Sequence, residues 1–520
     1  MSAAPFFSIV TPVYNPPVDV LRETIDSVRS QTFQDWELIL VDDVSPDDRV
    51  REVLRKAAAE DSRIVVVERE VNGHIVKASN DGIERVRGEF IALLDHDDLL
   101  EPHALEVMAD AIDEHPEADY LYSDEDKLDD QGTFYDEFRK PDWSPERLRG
   151  QMYTSHLSVL RTSVVRAVGG FHEGFDGSQD HDLVLRVTEQ AREVVHIPEV
   201  LYHWRVVPGS AAGDAGAKPY AWIAGRKAVQ AHLDRLGIEG DVQFGRGTGT
   251  YRIDRRLDDD VLVSVVIPTR GGEGLVWGER RCFVVDAVRS VVERGGHANV
   301  EFVIVHDTST PLTALAELRA LGIRRMTFVE YAKPFNFSEK CNVGVTASYG
   351  SVVLLLNDDI EILSEGFVAQ LVAPLFEDGV GATGARLIFP DNTIQHAGLV
   401  FYEDQYAHAF HGVAADDYGP FTALSVNREV SALTGACLAV LRATYDRVGG
   451  ISESLPVNYN DVDFSFKILR EGARLVWLSE PTAYHFESQT REPVVYSWEH
   501  ETMKKRWSGP DFDQYLPEIR

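Results

Sequence analysis

Residues Phe90–Asp98 read FIALLDHDD. The unbroken apolar run is short enough for a buried parallel strand, and it ends in three carboxylates, Asp95, Asp97 and Asp98. The spacing predicts a helix from about Pro102, so the acids fall where the strand stops. In doubly wound α/β sheets that is where ligands bind. Asp95 and Asp97 flank His96 on a tight turn, and such a pair can offer oxygen ligands to a hard divalent cation. The same construction returns far downstream in SVVLLLNDDIEI, with Asn357, Asp358 and Asp359.

Working outward, FFSIVTPVYN, a helix over Val18 to Ser30 and WELILVDDVSPDD read as strand, helix, strand. RIVVVE, a helix after NGH and FIALLDHDD continue the alternation. The pattern then restarts. VSVVIPTR answers FSIVTPVY, EFVIVHDTS answers ELILVDDVS, EKCNVGV answers KASNDGI and VVLLLNDD answers IALLDHDD. CLAVLRATYDRVGG, NYNDVDFSFKI and AYHFES then answer LSVLRTSVVRAVGG, SQDHDLVLRV and LYHWRV. Landmarks kept in order at offsets of about 256 to 282 residues indicate a duplicated domain rather than a solenoid. The expected organisation is one α/β domain over 1–207, a connector over 208–260, a second α/β domain over 261–490 and a tail over 491–520. Both domains are expected to carry Rossmann-like, mainly parallel sheets. The connector opens with a stretch rich in Gly, Ala, Ser and Pro, read as a hinge, followed by a helix over Tyr220 to Leu236 and a short β segment. Trp498 and Trp507 in the tail, beside a small basic cluster, are expected to pack back on the second domain.

A length of 520 residues with 44% hydrophobic content supports two cores. With 51 basic against 85 acidic residues, the net charge of −34 disfavours nonspecific binding to nucleic acid or anionic lipid. An anionic ligand would need a bound cation or local basic groups to reverse the field. Cys282, Cys341 and Cys437 have no metal-ligand spacing and read as reduced thiols of a cytosolic protein. No signal peptide or membrane span is read, so membrane contact is expected to be peripheral at most.

Asp42 and Asp43 close the second strand and face the same crevice as the Asp95 turn. Strand-to-helix turns favour Asp as a cap in any case, but the duplicate selects function for these turns, with Asp98 left as a simple cap. Asp180 and Asp182 open a probable helix, where a carboxylate stays ionised and can accept a proton from a hydroxyl. Asp461 and Asp463 repeat them. His203 and His485 correspond, and each can complete a metal shell. His396, His408 and His411 follow neither helical nor zinc-finger spacing, so no metal site is expected there.

Taken together, SIVTPVYN, VDDVS, NGHIVKASNDG, LLDHDD, QDHDL and YHWRVVPGS resemble the family 2 glycosyltransferases of glycosyltransferase A fold. The second copy resembles them through IPTR, FNFSEKCNVG, LLLNDDIEI, LTGACLAV, NYNDVDF and YHFES. The tandem arrangement is similar to bacterial enzymes of cell-surface and O-antigen-type polysaccharide synthesis. The resemblance implies inverting transfer of a sugar from a nucleotide donor, a UDP- or dTDP-sugar, to a glycan or lipid-linked glycan acceptor, with Mn2+ or Mg2+ as cofactor. It implies donor contacts at Pro12, Tyr14, Asp42, Asp43, Asn80 and Asp95, and at Pro268, Asp307, Asn342 and Asn357 in the second copy. It implies metal ligands at Asp95, Asp97 and His203, and at Asp359 and His485, and catalytic bases at Asp180 and Asp461. It implies a cytoplasmic protein at or near the inner face of the membrane.

The second copy departs at His306, which stands where the base-contacting aspartate would be, and at Asn357, which replaces the first aspartate of the pair. These departures keep open an alternative in which the second copy is an inactive module that binds acceptor or partner. A nucleotidyltransferase would want a glycine- and basic-rich phosphate loop near the N-terminus, and an oxidoreductase a GxGxxG in place of SIVTPVYNPP. Neither is present.

Overall fold

The computed structural model describes residues 4–206, 219–402, 405–486, 496–507 and 513–517. It divides into two units, Met1–Gly237 with Val242–Tyr251, and Ile238–Asp241 with Arg252–Arg520. The hinge read at 208–219 lies, apart from Pro219, outside the described residues. No described helix is long and apolar enough to cross a membrane.

The first unit is built on β1 (Phe7–Val13), β2 (Trp36–Asp42), β3 (Ile64–Glu68), β4 (Phe90–Leu93), β5 (Leu99–Leu100), β6 (Ala118–Leu128), β7 (Phe134–Phe138), β8 (Ser158–Arg161) and β9 (Glu193–Arg205). They form one sheet in the order β3-β2-β1-β4-β8-β6-β9-β5, with β7 on β6. The strands β3, β2, β1 and β4 run parallel, as do β6 and β9, while β8 is antiparallel to both its neighbours. Helices Val18–Arg29, Asp48–Glu60 and Ala104–Glu114 bury their apolar stripes on one face.

The second unit repeats this topology strand for strand. Its order is Met326–Tyr331, Val300–Asp307, Val263–Thr269, Val352–Leu356, Cys437–Leu441, Val380–Ile388, Arg474–His485 and Ile360–Ile362, with matching directions. Small-scale devices repeat too. Gly82 and Gly344 let a helix press onto the first strand of each sheet, where a Cβ would stand 2.6 Å from Val10 Cγ1 or 2.4 Å from Val266 Cγ1. Ser8 Oγ donates to buried Glu37, and Ser264 Oγ to buried Glu301, each at 2.6 Å. The extra length of the second unit, around 385–412, holds the end of its long strand and three short ones, Ile394–His396, Leu399–Tyr402 and Gln405–His408.

The helix expected in the connector, Pro219–Leu236, belongs to the first unit. In the tail, helix Ser497–Arg506 buries Met503, and Trp507 packs against Phe466 and donates to Asp463 at 2.9 Å. Trp498 stays half exposed.

Each unit also clamps a diglycine turn with an asparagine. Asn80 donates to the Phe171 carbonyl at 2.8 Å and accepts from the Phe171 N–H at 2.9 Å. Asn342 holds Ile451 in the same way, at 2.9 and 3.1 Å. The preceding pairs Gly169–Gly170 and Gly449–Gly450 have positive φ, which fits glycine and fixes the chain's approach to the next helix. Asn80→Ala or Asn342→Ala is expected to cost about 1–3 kcal/mol for each backbone group left without a partner. Urea unfolding measures this, and an unchanged midpoint would mean the clamp is replaced by water.

Candidate active site

Because β1, β2 and β4 run parallel, their carboxyl ends open on one side of the sheet. A cavity of about 940 Å³ lies there, lined by Pro12, Tyr14, Asp43, Asp95, Asp97, His156 and Asp180 among others. Residues far apart in sequence thus share one crevice.

The acidic turn is crowded. Asp98 is not a cap, since the next helix starts only at Ala104. It is buried, where it accepts from the Tyr202 hydroxyl at 2.6 Å and the Arg205 N–H at 2.7 Å. Burial, then the neighbouring Asp95 and Asp97, push its carboxyl well above the usual range. Burial raises Asp97 as well, with Asp95 adding to the effect.

The histidine that meets this turn is His156. Asp95, Asp98 and His156 each bring a ligand atom, and these atoms all lie within 4.8 Å of one another. Burial disfavours the charged imidazole, but Glu125, Asp98 and Asp95 outweigh it and raise His156 to about 9. Two carboxylates pushed up and an imidazole held positive describe a place with excess negative charge; carboxylates suit Mn2+ or Mg2+ in donor type, while the imidazole is a softer donor that ligates only after giving up its proton.

His203 is placed differently from a ligand of that turn. Its Nδ1 lies 2.6 Å from Asp126 Oδ1 and its Nε2 3.1 Å from Glu101 Oε1. The reason is a bulge. The pairing of β6 with β9 shifts register at Ser123/Asp124 and Asp124/Glu125, which re-aims successive side chains. Asp124 then meets His196 at 2.8 Å, Glu125 meets His156 at 3.2 Å and Asp126 takes His203. Fully buried Lys140 ties Glu125 down at 2.9 Å and donates to the carbonyls of Thr154 and His156.

Asp180 stands in the first turn of helix Gln179–Thr188 and accepts from the His181 N–H at 2.9 Å. Burial raises its carboxyl. Asp182 instead faces inward to Arg186 at 2.6 Å. Asp42 is buried and accepts from the Ser45 N–H at 3.0 Å, leaving the cavity wall to Asp43, which holds Arg69 and the Gly73 N–H. Asn80 is not among the cavity's lining residues.

The second unit has a smaller cavity, about 360 Å³, lined by Pro268, Arg270, Lys340, Asn357, Asp359 and Asp461 among others. Asp461 accepts from the N–H groups of Gly435 and Val462 at 3.1 and 2.9 Å, and burial raises it. Asp359 Oδ1 lies 3.3 Å from His485 Nε2; the imidazole outweighs burial and lowers the carboxyl. Asp358, raised to about 6 by burial and Asp359, accepts from Thr269 Oγ1 at 2.6 Å.

Strand pairing aligns the two turns. Leu93 pairs with Val10 and Leu355 with Val266, so Asn357 stands for Asp95, Asp359 for Asp97 and Ile360 for Asp98. Arg161 and Leu441 likewise correspond, which puts Ala436 where the first unit has His156. Among the described residues, the three-ligand group of the first unit has no counterpart in the second.

Fixed cations enter there instead. Lys340, almost fully buried, donates to Asp307 at 2.8 Å and to the Thr269 carbonyl at 2.9 Å, and Arg270 lies 3.3 Å from Asp307. His306 turns its Nδ1 to the Asp307 carbonyl at 3.2 Å, and Asn342 is outside the cavity lining. Neutral His396 and His408 meet at 2.9 Å, both lowered by burial, with the His411 ring 6.3 Å from that of His408.

The family model for glycosyl transferase family 2 matches residues 8–167 and again 264–446, once over each sheet. The chain belongs to that family. Its two units are tandem glycosyltransferase A-type domains. The uncharacterized protein y4gI of Sinorhizobium fredii is 41% identical over 98% of this chain and 56% of its own length. The O-antigen biosynthesis protein RfbC of Myxococcus xanthus is 33% identical over 99% of this chain and 40% of its own. The chain therefore spans only about half the length of these relatives. The crystal structure of S. aureus TarS 1-349 in complex with UDP-GlcNAc is 20% identical, over 44% of this chain and 72% of that chain, with a TM-score of 0.36.

Within this family 2 chain, His156, matched by Ala436 in the second unit, is the candidate ligand that differs between the two cavities. His156→Ala is expected to weaken Mn2+ binding by about 10- to 100-fold in titration calorimetry, as loss of one imidazole from a small ligand set does. His203→Ala should weaken it less; the reverse order would reassign the cation to the His203 side of the crevice.

Proposed function

We propose that the chain transfers sugars from nucleotide-sugar donors to a glycan acceptor at two sites, with inversion, in surface polysaccharide synthesis. The observation that carries this reading is the repeated pairing, in each unit, of an acidic turn at the strand ends with a raised aspartate at a helix start in the same cavity.

At the first site Asp180 accepts the proton of the acceptor hydroxyl. The hydroxyl oxygen then forms its bond to the anomeric carbon from the face opposite the diphosphate, and the bond to the diphosphate breaks with its electron pair. A divalent cation held by Asp95, Asp98 and His156 would supply positive charge against the departing diphosphate. Tyr202 and Arg205 hold Asp98 in place for that cation, and Lys140 fixes Glu125 behind His156. Asp43 and Tyr14, in the same lining, contact the donor in this reading.

At the second site Asp461 takes the part of Asp180. Asp359 and His485 form a pair open to a cation, and Arg270 and Lys340 bring fixed positive charge to an anionic donor. The substitutions Asn357, Ile360 and Ala436 favour a second reading, in which this unit binds acceptor without transferring to it. The acceptor as a surface glycan, and a UDP- or dTDP-sugar as donor, rest on the family and on similarity to an O-antigen biosynthesis protein.

Asp180→Asn and Asp461→Asn, assayed with a nucleotide-sugar panel and Mn2+, are each expected to lower one transfer by about 10²–10⁴-fold and to remove a different sugar or linkage from the product. An unchanged product with Asp461→Asn would make the second unit a binding module. Because the base must be ionised and burial raises Asp180, kcat/KM at the first site should fall as pH drops through a pKa above that of a free aspartate. An acid limb at or below the free value would contradict that role.

A further inference from the structure

The cavity that holds Asp180 is also lined by aromatic side chains that the transfer chemistry leaves unused. Trp204, Tyr220, Trp222 and Tyr251 all line its cavity. Two of them come from the first turn of helix Pro219–Leu236 and one from the strand Tyr251–Arg255, segments that follow the repeated landmarks.

Three glycines make room for this wall. A Cβ at Gly177, beside the Asp180 turn, would stand 2.8 Å from Ala221 Cβ and 2.9 Å from Tyr220 Cε2. One at Gly249 would stand 2.8 Å from Trp222 Cζ3, and one at Gly225 only 1.9 Å from the Tyr251 hydroxyl. Gly177 and Gly249 also have positive φ, 85° and 74°, which disfavours other residues twice over. Ser178 Oγ donates to the Ala221 carbonyl at 2.8 Å and completes the join. The start of helix Pro219–Leu236, Tyr251 and the turn before Asp180 are thus closely packed.

We propose that this wall is the acceptor subsite of the first unit, and that it takes a neutral pyranose whose ring lies on the face of Trp222. The inference rests on Asp180 being the base. An acceptor hydroxyl must come within hydrogen-bond reach of that carboxylate, so the ring bearing it presses on the side chains around Asp180. Aromatic faces give such a ring apolar contact at little cost in side-chain entropy. Among the described residues the cavity lining includes neither lysine nor arginine, and Asp43, Asp95, Asp97, Asp176 and Asp180 outnumber the charged His156, so a uronic acid or phosphorylated sugar would be disfavoured.

The test uses the intact chain, with Trp222→Ala and Trp222→Phe beside wild type. Methyl glycosides of glucose, galactose and rhamnose serve as acceptor probes, methyl glucuronoside as the anionic comparator and UDP with Mn2+ as the donor-side probe. Ligand-observed NMR titrations are expected to give neutral glycosides binding about tenfold weaker in Trp222→Ala, with most of the loss restored by phenylalanine, and the glucuronoside weaker than the glucoside in wild type. Equal affinity of Trp222→Ala and wild type for every neutral glycoside overturns the proposal. So does a parallel loss of UDP, which would mean a displaced fold, or absence of glycoside binding to wild type. Glycoside binding that follows this pattern in a protein without UDP affinity would support the aromatic subsite and overturn the transferase reading instead.

Discussion

Three carboxylates at one strand end repel one another, and much of the first unit is arranged around that repulsion. Asp98 is held by a tyrosine hydroxyl and a backbone N–H, yet burial and its neighbours still raise it far above an ordinary aspartate. His156, stacked on the Tyr202 ring at 4.6 Å, is kept charged by Glu125 first and by Asp98 and Asp95 after it. A cation bound here would offset the charge of the carboxylates and displace the proton that His156 holds.

Beside the acidic turn, β9 carries the extra residues of an irregular pairing with β6, next to three consecutive acids, Asp124, Glu125 and Asp126. Each of them meets a different histidine, and Lys140 neutralises Glu125, whose carboxyl falls to about 2 although burial alone would raise it. The second unit meets its acids differently. It drops two of the first unit's ligand groups, replaces a third by asparagine, and sets Lys340 and Arg270 around Asp307.

Repetition explains both what the sequence disclosed and what it withheld. The strand–helix alternation, the acidic turns and the placing of Asp180 and Asp461 beside them in one cavity were readable because both copies carry them. The same filter selected His203 and His485, and it also drew attention to Asn80 and Asn342, whose side chains clamp diglycine turns. It passed over His156, because the equivalent residue is Ala436, and it read Asp98 as a cap, because the equivalent is Ile360. Lys140 and the glycines behind Trp222 left no periodic signal at all. Their roles depend on contacts across many residues, and only the folded chain brings those together.

The most direct test is a manganese anomalous difference map from crystals of the intact chain grown with Mn2+ and UDP. A peak bounded by Asp95, Asp98 and His156 is the predicted result, with the nucleotide diphosphate against it. No peak in that place, or one enclosed by Glu101, Asp126 and His203, would contradict the view that the acidic turn of the first unit is organised to hold the cation.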